Sequence, residues 1–217
     1  MDWHLAGTQG KRRFNADAAA SGTIGDTLVL ALADGIGDTP EAAMAARVAT
    51  AAATTVGWSP LEGVLAAQRA VRALPTGDCV LVVAHATPGG YRVAWVGDTR
   101  AYTWDGSLTQ LTTDHTVAQY FASRGVAVAA RLANVVTASV RTVEAGAIGA
   151  VDTYRCATLV LTTDGVHKGL SVERMGALAG REDAAAALVA AAGSADNATA
   201  IVVSGCAGAV TRALAVA

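Results

Sequence analysis

Charge and aromatic rings are both scarce in this chain. Asp, Glu, Lys and Arg make up 16% of its 217 residues, and Phe, Trp and Tyr only 5%. The formal net charge is −2, so there is no electrostatic footprint for nucleic acid and no polybasic stretch for an anionic membrane. Lysine is almost absent: Lys11 and Lys168 are the two in the chain. The three cysteines, Cys79, Cys156 and Cys206, are odd in number, far apart and set among apolar residues. They read as buried thiols in a reducing compartment, not as a disulfide framework or a zinc site. No apolar run approaches the roughly 20 residues of a membrane span. The opening Met1-Asp2-Trp3-His4 lacks the basic and apolar stretches of a signal peptide. With 53% hydrophobic residues, intrinsic disorder is excluded as well. The expectation is one soluble, cytoplasmic domain over residues 1–217, with no nucleic-acid or membrane partner.

What the chain does have is alanine, close to a quarter of all residues, and short apolar runs punctuated by Asp-Gly. Leu28 to Ala33 is too short for a helix and is stopped by Asp34-Gly35, which predicts a buried strand. Pro40 opens a helix to about Val56, with Glu41 in the first turn where the macrodipole favours it, and a second helix runs from Pro60 to about Leu74. Strands follow in series at Cys79–Thr87, Tyr91–Val96 and Arg100–Trp104. Asp105-Gly106 then predicts a hairpin into Ser107–Leu111. Val117 to Arg124 reads as a helix, Ala157 to Thr163 as a strand ended by Asp164-Gly165. Helices at Val172–Ala179 and Glu182–Ala192 precede a last strand at Ala198–Ser204. Consecutive hairpins with paired helices predict an α+β layered sandwich.

The acidic residues are placed unevenly. Asp34-Gly35, Gly97-Asp98 and Asp164-Gly165 each sit at the end of an apolar strand, and Asp196-Asn197 leads into one. A single Asp-Gly after a strand is ordinarily a turn. Several of them at strand ends of one sheet place carboxylates near one another, which is unfavourable unless cations bridge them. Oxygen donors suit hard ions such as Mg²⁺ and Mn²⁺, and no Cys/His set has zinc spacing. Two such ions would activate a water and neutralise a phosphoryl group. Such a group also wants a bidentate cationic anchor, for which Arg12, just before Asn15 and Asp17, is the candidate.

With these residues in place the chain resembles the metal-dependent PP2C (PPM) serine/threonine protein phosphatases of the bacterial branch. Six segments carry the resemblance in order: Arg12-Arg13-Phe14-Asn15-Ala16-Asp17, Ala33-Asp34-Gly35-Ile36-Gly37, Val96-Gly97-Asp98-Thr99-Arg100-Ala101-Tyr102, Leu111-Thr112-Thr113-Asp114-His115-Thr116, Leu161-Thr162-Thr163-Asp164-Gly165 and Asp196-Asn197-Ala198-Thr199. The resemblance implies a four-layer α-β-β-α sandwich, with two central, mostly antiparallel sheets flanked by helices and metals between the sheets. It implies two core ions, Mn²⁺ or Mg²⁺, that share Asp34. Asp164 and Asp196 would complete one site, and Asp17 and the Gly35 carbonyl the other. Asp114 would serve a weaker third ion, and Arg12 would hold the substrate phosphate. The implied reaction is hydrolysis of phosphoserine and phosphothreonine by direct attack of a metal-bridging water. The implied partners are phosphorylated proteins and an opposing serine/threonine kinase, with a monomer as the working unit.

The chain departs from the family pattern in four places. Ala16 stands where an acidic residue or Gln is usual, and Asp38 where the second Gly of M-G-G is usual. His167-Lys168-Gly169-Leu170 replaces L-T-D-x-L, and the interval from Asp114 to Asp164 is short, which implies a trimmed flap. These departures motivate an alternative: a weakly active or inactive phosphatase-fold regulatory or binding module. Asp98 reads as the organiser of its turn, Arg100 as half of a buried ion pair, and His115 as structural rather than catalytic.

Overall fold

The computed structural model describes residues 2–154, 157–193 and 195–205. Ten strands run in the order β1 (Asp2–Thr8), β2 (Asp17–Ile24), β3 (Thr27–Gly35), β4 (Cys79–Thr87), β5 (Gly90–Val96), β6 (Arg100–Trp104), β7 (Leu108–Gln110), β8 (Gly149–Asp152), β9 (Thr158–Thr162) and β10 (Ala198–Ser204). They form two five-stranded sheets, β1-β10-β9-β6-β7 and β2-β3-β4-β5-β8, with every pairing antiparallel. Helices α1 (Pro40–Ala53) and α2 (Pro60–Arg72) cover the second sheet. Helices α4 (Asp164–His167), α5 (Val172–Ala179) and α6 (Ala184–Ala192) cover the first, and α3 (Val117–Ala122) lies in the segment between β7 and β8. The architecture is the expected four-layer α-β-β-α sandwich.

Strand alternation sorts the side chains into three cores. In β3, Leu30 and Leu32 point between the sheets and meet Leu159, Leu161, Ile201 and Val203 of the other sheet. The intervening Val29, Ala31 and Ala33 face the opposite way, onto Ala45, Ala46, Ala49 and Ala53 of α1. Alanine is what permits this helix to lie so close to the sheet. Thr39 caps it, its hydroxyl accepting from the Ala42 amide at 3.2 Å, and Pro40 fixes the first turn. A third core joins Val160, Val202 and Ala200 to Met175, Leu178 and Leu188 of the helices on the far side.

Three strands, β1, β2 and β8, have no pattern of their own in the sequence. All three are sheet edges. β1 is almost wholly exposed and β2 is mostly small residues, so neither carries the apolar run that marks a central strand. Asp164-Gly165, expected to end the strand, also opens α4. The helix expected from Glu182 begins at Ala184. Cys79 is a buried free thiol. Cys156 and Cys206 lie outside the described residues.

Candidate active site

At one end of the sandwich the same alternation delivers polar groups to the inner faces. Two residues beyond Leu32, Asp34 points between the sheets, and Asp17 stands directly opposite it in the β2–β3 register. On the facing sheet, continuing from Leu161 brings Thr163 to the inner face, and stepping back from Ile201 brings Thr199 there. Asp17 Oδ2 accepts from both hydroxyls, Thr163 Oγ1 at 2.8 Å and Thr199 Oγ1 at 2.7 Å. These two bonds join the sheets across their inner faces and fix one oxygen of Asp17. The other, Oδ1, is buried with no hydrogen-bond partner.

Asp164 follows Thr163 directly, and Asp196-Asn197 precedes β10. Gly165 lets the two segments meet: a Cβ there would lie 2.0 Å from the Asn197 carbonyl oxygen. Gly97 does the same for the Asp98 turn, with φ +92° and a Cβ position overlapping Val80.

Asn197 holds the loop that carries Arg12. Its Nδ2 donates to the carbonyls of Gln9 and Phe14 at 2.7 and 3.0 Å, and its Oδ1 accepts from the Ala16 amide at 2.9 Å. Asp38 completes the clamp by accepting from the Arg13 and Phe14 amides at 3.1 and 2.9 Å. Those two amides hold its pKa below the ordinary carboxylate value. Ala16 packs into a small apolar niche with Ala42 and Ala43. Arg12 Nη2 reaches Asp196 Oδ2 at 2.6 Å.

The result is a cavity of about 180 Å³ lined by Arg12, Asp34, Gly35, Asp98, Asp164 and Asp196. Asn134 and Val136, from the short segment read as a trimmed flap, close one side of it. Asp17 lies beneath, beside Asp34. Burial raises the Asp17 pKa to about 7, the two threonine hydroxyls opposing the rise and the charges of Asp164 and Asp196 adding to it. Burial also pushes Asp34 well above the carboxylate range, with Asp17 and Asp164 as the next causes. Asp98 is raised by burial, with Lys168 pulling against that rise. Crowded acids of this kind mark sites that take up protons or cations.

Lys168 Nζ donates to Asp164 Oδ2 at 2.8 Å and to Asp98 Oδ2 at 3.0 Å. Together with Arg12, it holds three of the carboxylates as ion pairs. Among the described residues, no three Asp, Glu, His or Cys side chains are arranged around one point as a finished ion-binding sphere. The donor set nevertheless fits hard divalent cations. It is all oxygen, it gathers four acids from distant segments, and it contains a buried carboxylate oxygen with no partner.

Asp114, expected as a third-ion ligand, is not brought to this cavity. Both its oxygens accept from Arg100, at 2.8 and 2.7 Å, in a bidentate pair that ties the segment after β7 to β6. The acid that does line the cavity from that region is Asp98, read from the sequence as a turn organiser. Its nearness to Asp164 depends on packing between segments 66 residues apart, which no local pattern reveals. His115 stacks on Trp95 with ring centroids 6.1 Å apart and accepts from the Gly97 amide through Nδ1 at 3.3 Å. Burial lowers its pKa, which favours the neutral ring.

No family model and no curated protein matches the chain in sequence. Solved structures do. The catalytic domain of the serine/threonine phosphatase PstP, in complex with two manganese ions, superimposes with a TM-score of 0.76 at 24% identity, covering 93% of this chain and 96% of that one. The PPM Ser-Thr phosphatase MsPP from Mycobacterium smegmatis, in complex with cacodylate, gives 0.75 at 23%, covering 94% and 98%. Stp1 from Staphylococcus aureus gives 0.79 at 18%, covering 93% of each. The chain has the fold of the bacterial PPM serine/threonine phosphatases. On that phosphatase fold, Arg12 and the acids at 17, 34, 164 and 196 all gather at one end of the sandwich, whereas the other expected ligand, Asp114, is paired elsewhere. No helix among the described residues is long and apolar enough to cross a membrane.

Proposed function

We propose that this protein is a divalent-metal-dependent phosphatase acting on phosphoserine and phosphothreonine in proteins, with Mn²⁺ or Mg²⁺ held at the acidic end of the sandwich. The observation that carries the reading is the meeting of Asp17, Asp34, Asp164 and Asp196 beside Arg12, in a fold shared with solved phosphatases. Asp17, Asp34 and the Gly35 carbonyl would hold one ion, and Asp34, Asp164 and Asp196 the other. When bound, the ions supply an activated water and neutralise charge on the phosphoryl group.

The chain's own groups do the rest. Asp34, half-buried beside Asp17 and Asp164, would have to be deprotonated to serve as a ligand, and Asp17 would lose its proton at about neutral pH. Arg12 gives Asp196 one nitrogen of its fork, and its remaining donors suit two phosphoryl oxygens. Asn197 and Asp38 hold its loop so that this fork does not have to be ordered anew with each substrate. Asn134 and Val136 narrow the entrance from the flap side. Cys79, the cysteine among the described residues, is not a candidate nucleophile, since burial raises its pKa well above that of a reactive thiol. The proposed setting is the cytoplasm, opposite a serine/threonine kinase.

The test is hydrolysis of a phosphothreonine peptide by purified protein with Mn²⁺. Activity should disappear with EDTA and fall at least 100-fold in Asp34→Asn; undiminished turnover in Asp34→Asn defeats the mechanism. A second reading, a phosphatase-fold binding module with feeble turnover, is favoured by one observation: Lys168 and Arg12 already pair with three of the acids. Calorimetric Mn²⁺ titration alongside the turnover assay separates the two, because tight ion binding without hydrolysis supports the module.

A further inference from the structure

Lys168 stands where the family pattern carries an acid, and it is one of only two lysines in the chain. It follows α4 directly, four residues after Asp164, so one helical turn places its ammonium back beside that carboxylate. The same ammonium reaches Asp98, whose side chain is only 7% exposed and which comes from the turn between β5 and β6. Two carboxylates 66 residues apart in the chain therefore converge on a single side-chain cation. A divalent ion bridging the same oxygens would meet the ammonium at van der Waals distance and be repelled by it. On the far side of the cluster the situation is reversed: Asp17 Oδ1 is buried and has no partner, so a cation is still wanted there.

We infer that Lys168 is a resident cation that occupies the Asp98–Asp164 edge of the acidic cluster, keeping divalent ions off that edge and confining them to the side formed by Asp17, Asp34 and Asp196. Resting on the two-ion reading above, this makes the lysine a positioning and selectivity residue. It neutralises Asp98, holds one oxygen of Asp164 and leaves the other for the core ions. An ammonium cancels one charge where a divalent ion cancels two, so the edge keeps a net negative charge that draws cations to the neighbouring sites.

Mn²⁺ binding to the intact protein, counted by equilibrium dialysis and by loss of the free-ion EPR signal, tests the inference without reference to turnover. Lys168→Met should bind one more Mn²⁺ per chain than the wild type, or bind its weakest ion at least 10-fold more tightly. Lys168→Arg, which keeps the charge, should show no gain, and adding Asp98→Asn to Lys168→Met should abolish it. Lys168→Gln, checked for a cooperative melt, serves if the Met variant does not fold. An unchanged ion count and affinity in folded Lys168→Met or Lys168→Gln overturns the inference. A wild type that binds no Mn²⁺ strikes instead at the two-ion reading; a gain in Lys168→Met under those conditions still supports the lysine as resident cation.

Discussion

Asp17 offers a sharp test, because its burial should cost the metal-free protein stability in a pH-dependent way. Its pKa is about 7 in the folded chain against an ordinary 3.8. Below 3.8 the carboxyl is protonated in both states and costs nothing. Between 3.8 and 7 the unfolded chain loses the proton while the folded chain keeps it, so stability falls as pH rises. Above 7 the full asymmetry is present, about 4 kcal/mol at roughly 1.4 kcal/mol per unit of pKa. Asp17→Asn removes the charge but keeps an oxygen to accept from Thr163 and Thr199. It also places an amide where Oδ1 has no partner. In EDTA at pH 8 the Asn variant should therefore be more stable than the wild type by about 2–4 kcal/mol, a rise in melting temperature of roughly 5–15 °C for a domain of this size. At pH 4 the two should melt together. Saturating Mn²⁺ should reverse the order at pH 8, since the wild type gains more from ion binding than a variant short of one ligand. Thermal melts by circular dichroism at several pH values, with EDTA or Mn²⁺, measure all of this. If Asp17→Asn melts at or below the wild type at pH 8 in EDTA, the account of a carboxylate strained by burial and awaiting a cation is refuted.

Further outcomes follow from the same geometry. Mn²⁺ affinity should fall as pH drops below about 7, where Asp17 takes up its proton. Calorimetry in buffers of different ionisation enthalpy should show proton release on binding, and a pH-independent affinity between 5 and 8 would contradict this. Asn197→Ala breaks three hydrogen bonds to the Arg12 loop and should destabilise the protein by about 2–4 kcal/mol in urea unfolding. It should also raise KM for a phosphopeptide more than it lowers kcat. Asp114→Asn should leave the number of bound Mn²⁺ unchanged while costing about 1–3 kcal/mol, because it strands the half-buried Arg100; loss of an ion would instead restore Asp114 as a ligand.

Much of this site is legible in the chain itself, and for a physical reason. A central strand must be apolar, so the acids that close such strands, Asp34 and Asp164, stand out against Val, Leu and Ala, as does Asp196 leading into one. Their order along the chain with Arg12 and Asp17 identifies a family pattern. The Ala-rich helices and the Asp105-Gly106 hairpin are equally local signals. Edge strands are not legible in this way. β1, β2 and β8 take their conformation from hydrogen bonds to a neighbour rather than from a buried face, so small or polar residues serve there.

What only the tertiary structure decided is which charges meet. Asp98 and Asp114 both follow strands of the same hairpin series, and composition cannot tell them apart. The bidentate grip of Arg100 draws Asp114 away, and Lys168 draws Asp98 in. Asp38, an added negative charge in the sequence, becomes a cap for two backbone amides of the Arg12 loop. Asn197, part of a short motif, becomes the clamp on that same loop. These roles depend on contacts between residues 14 to 188 positions apart in the chain. Local pattern is set by burial along a strand or helix, but charge pairing is set by where those elements end in space.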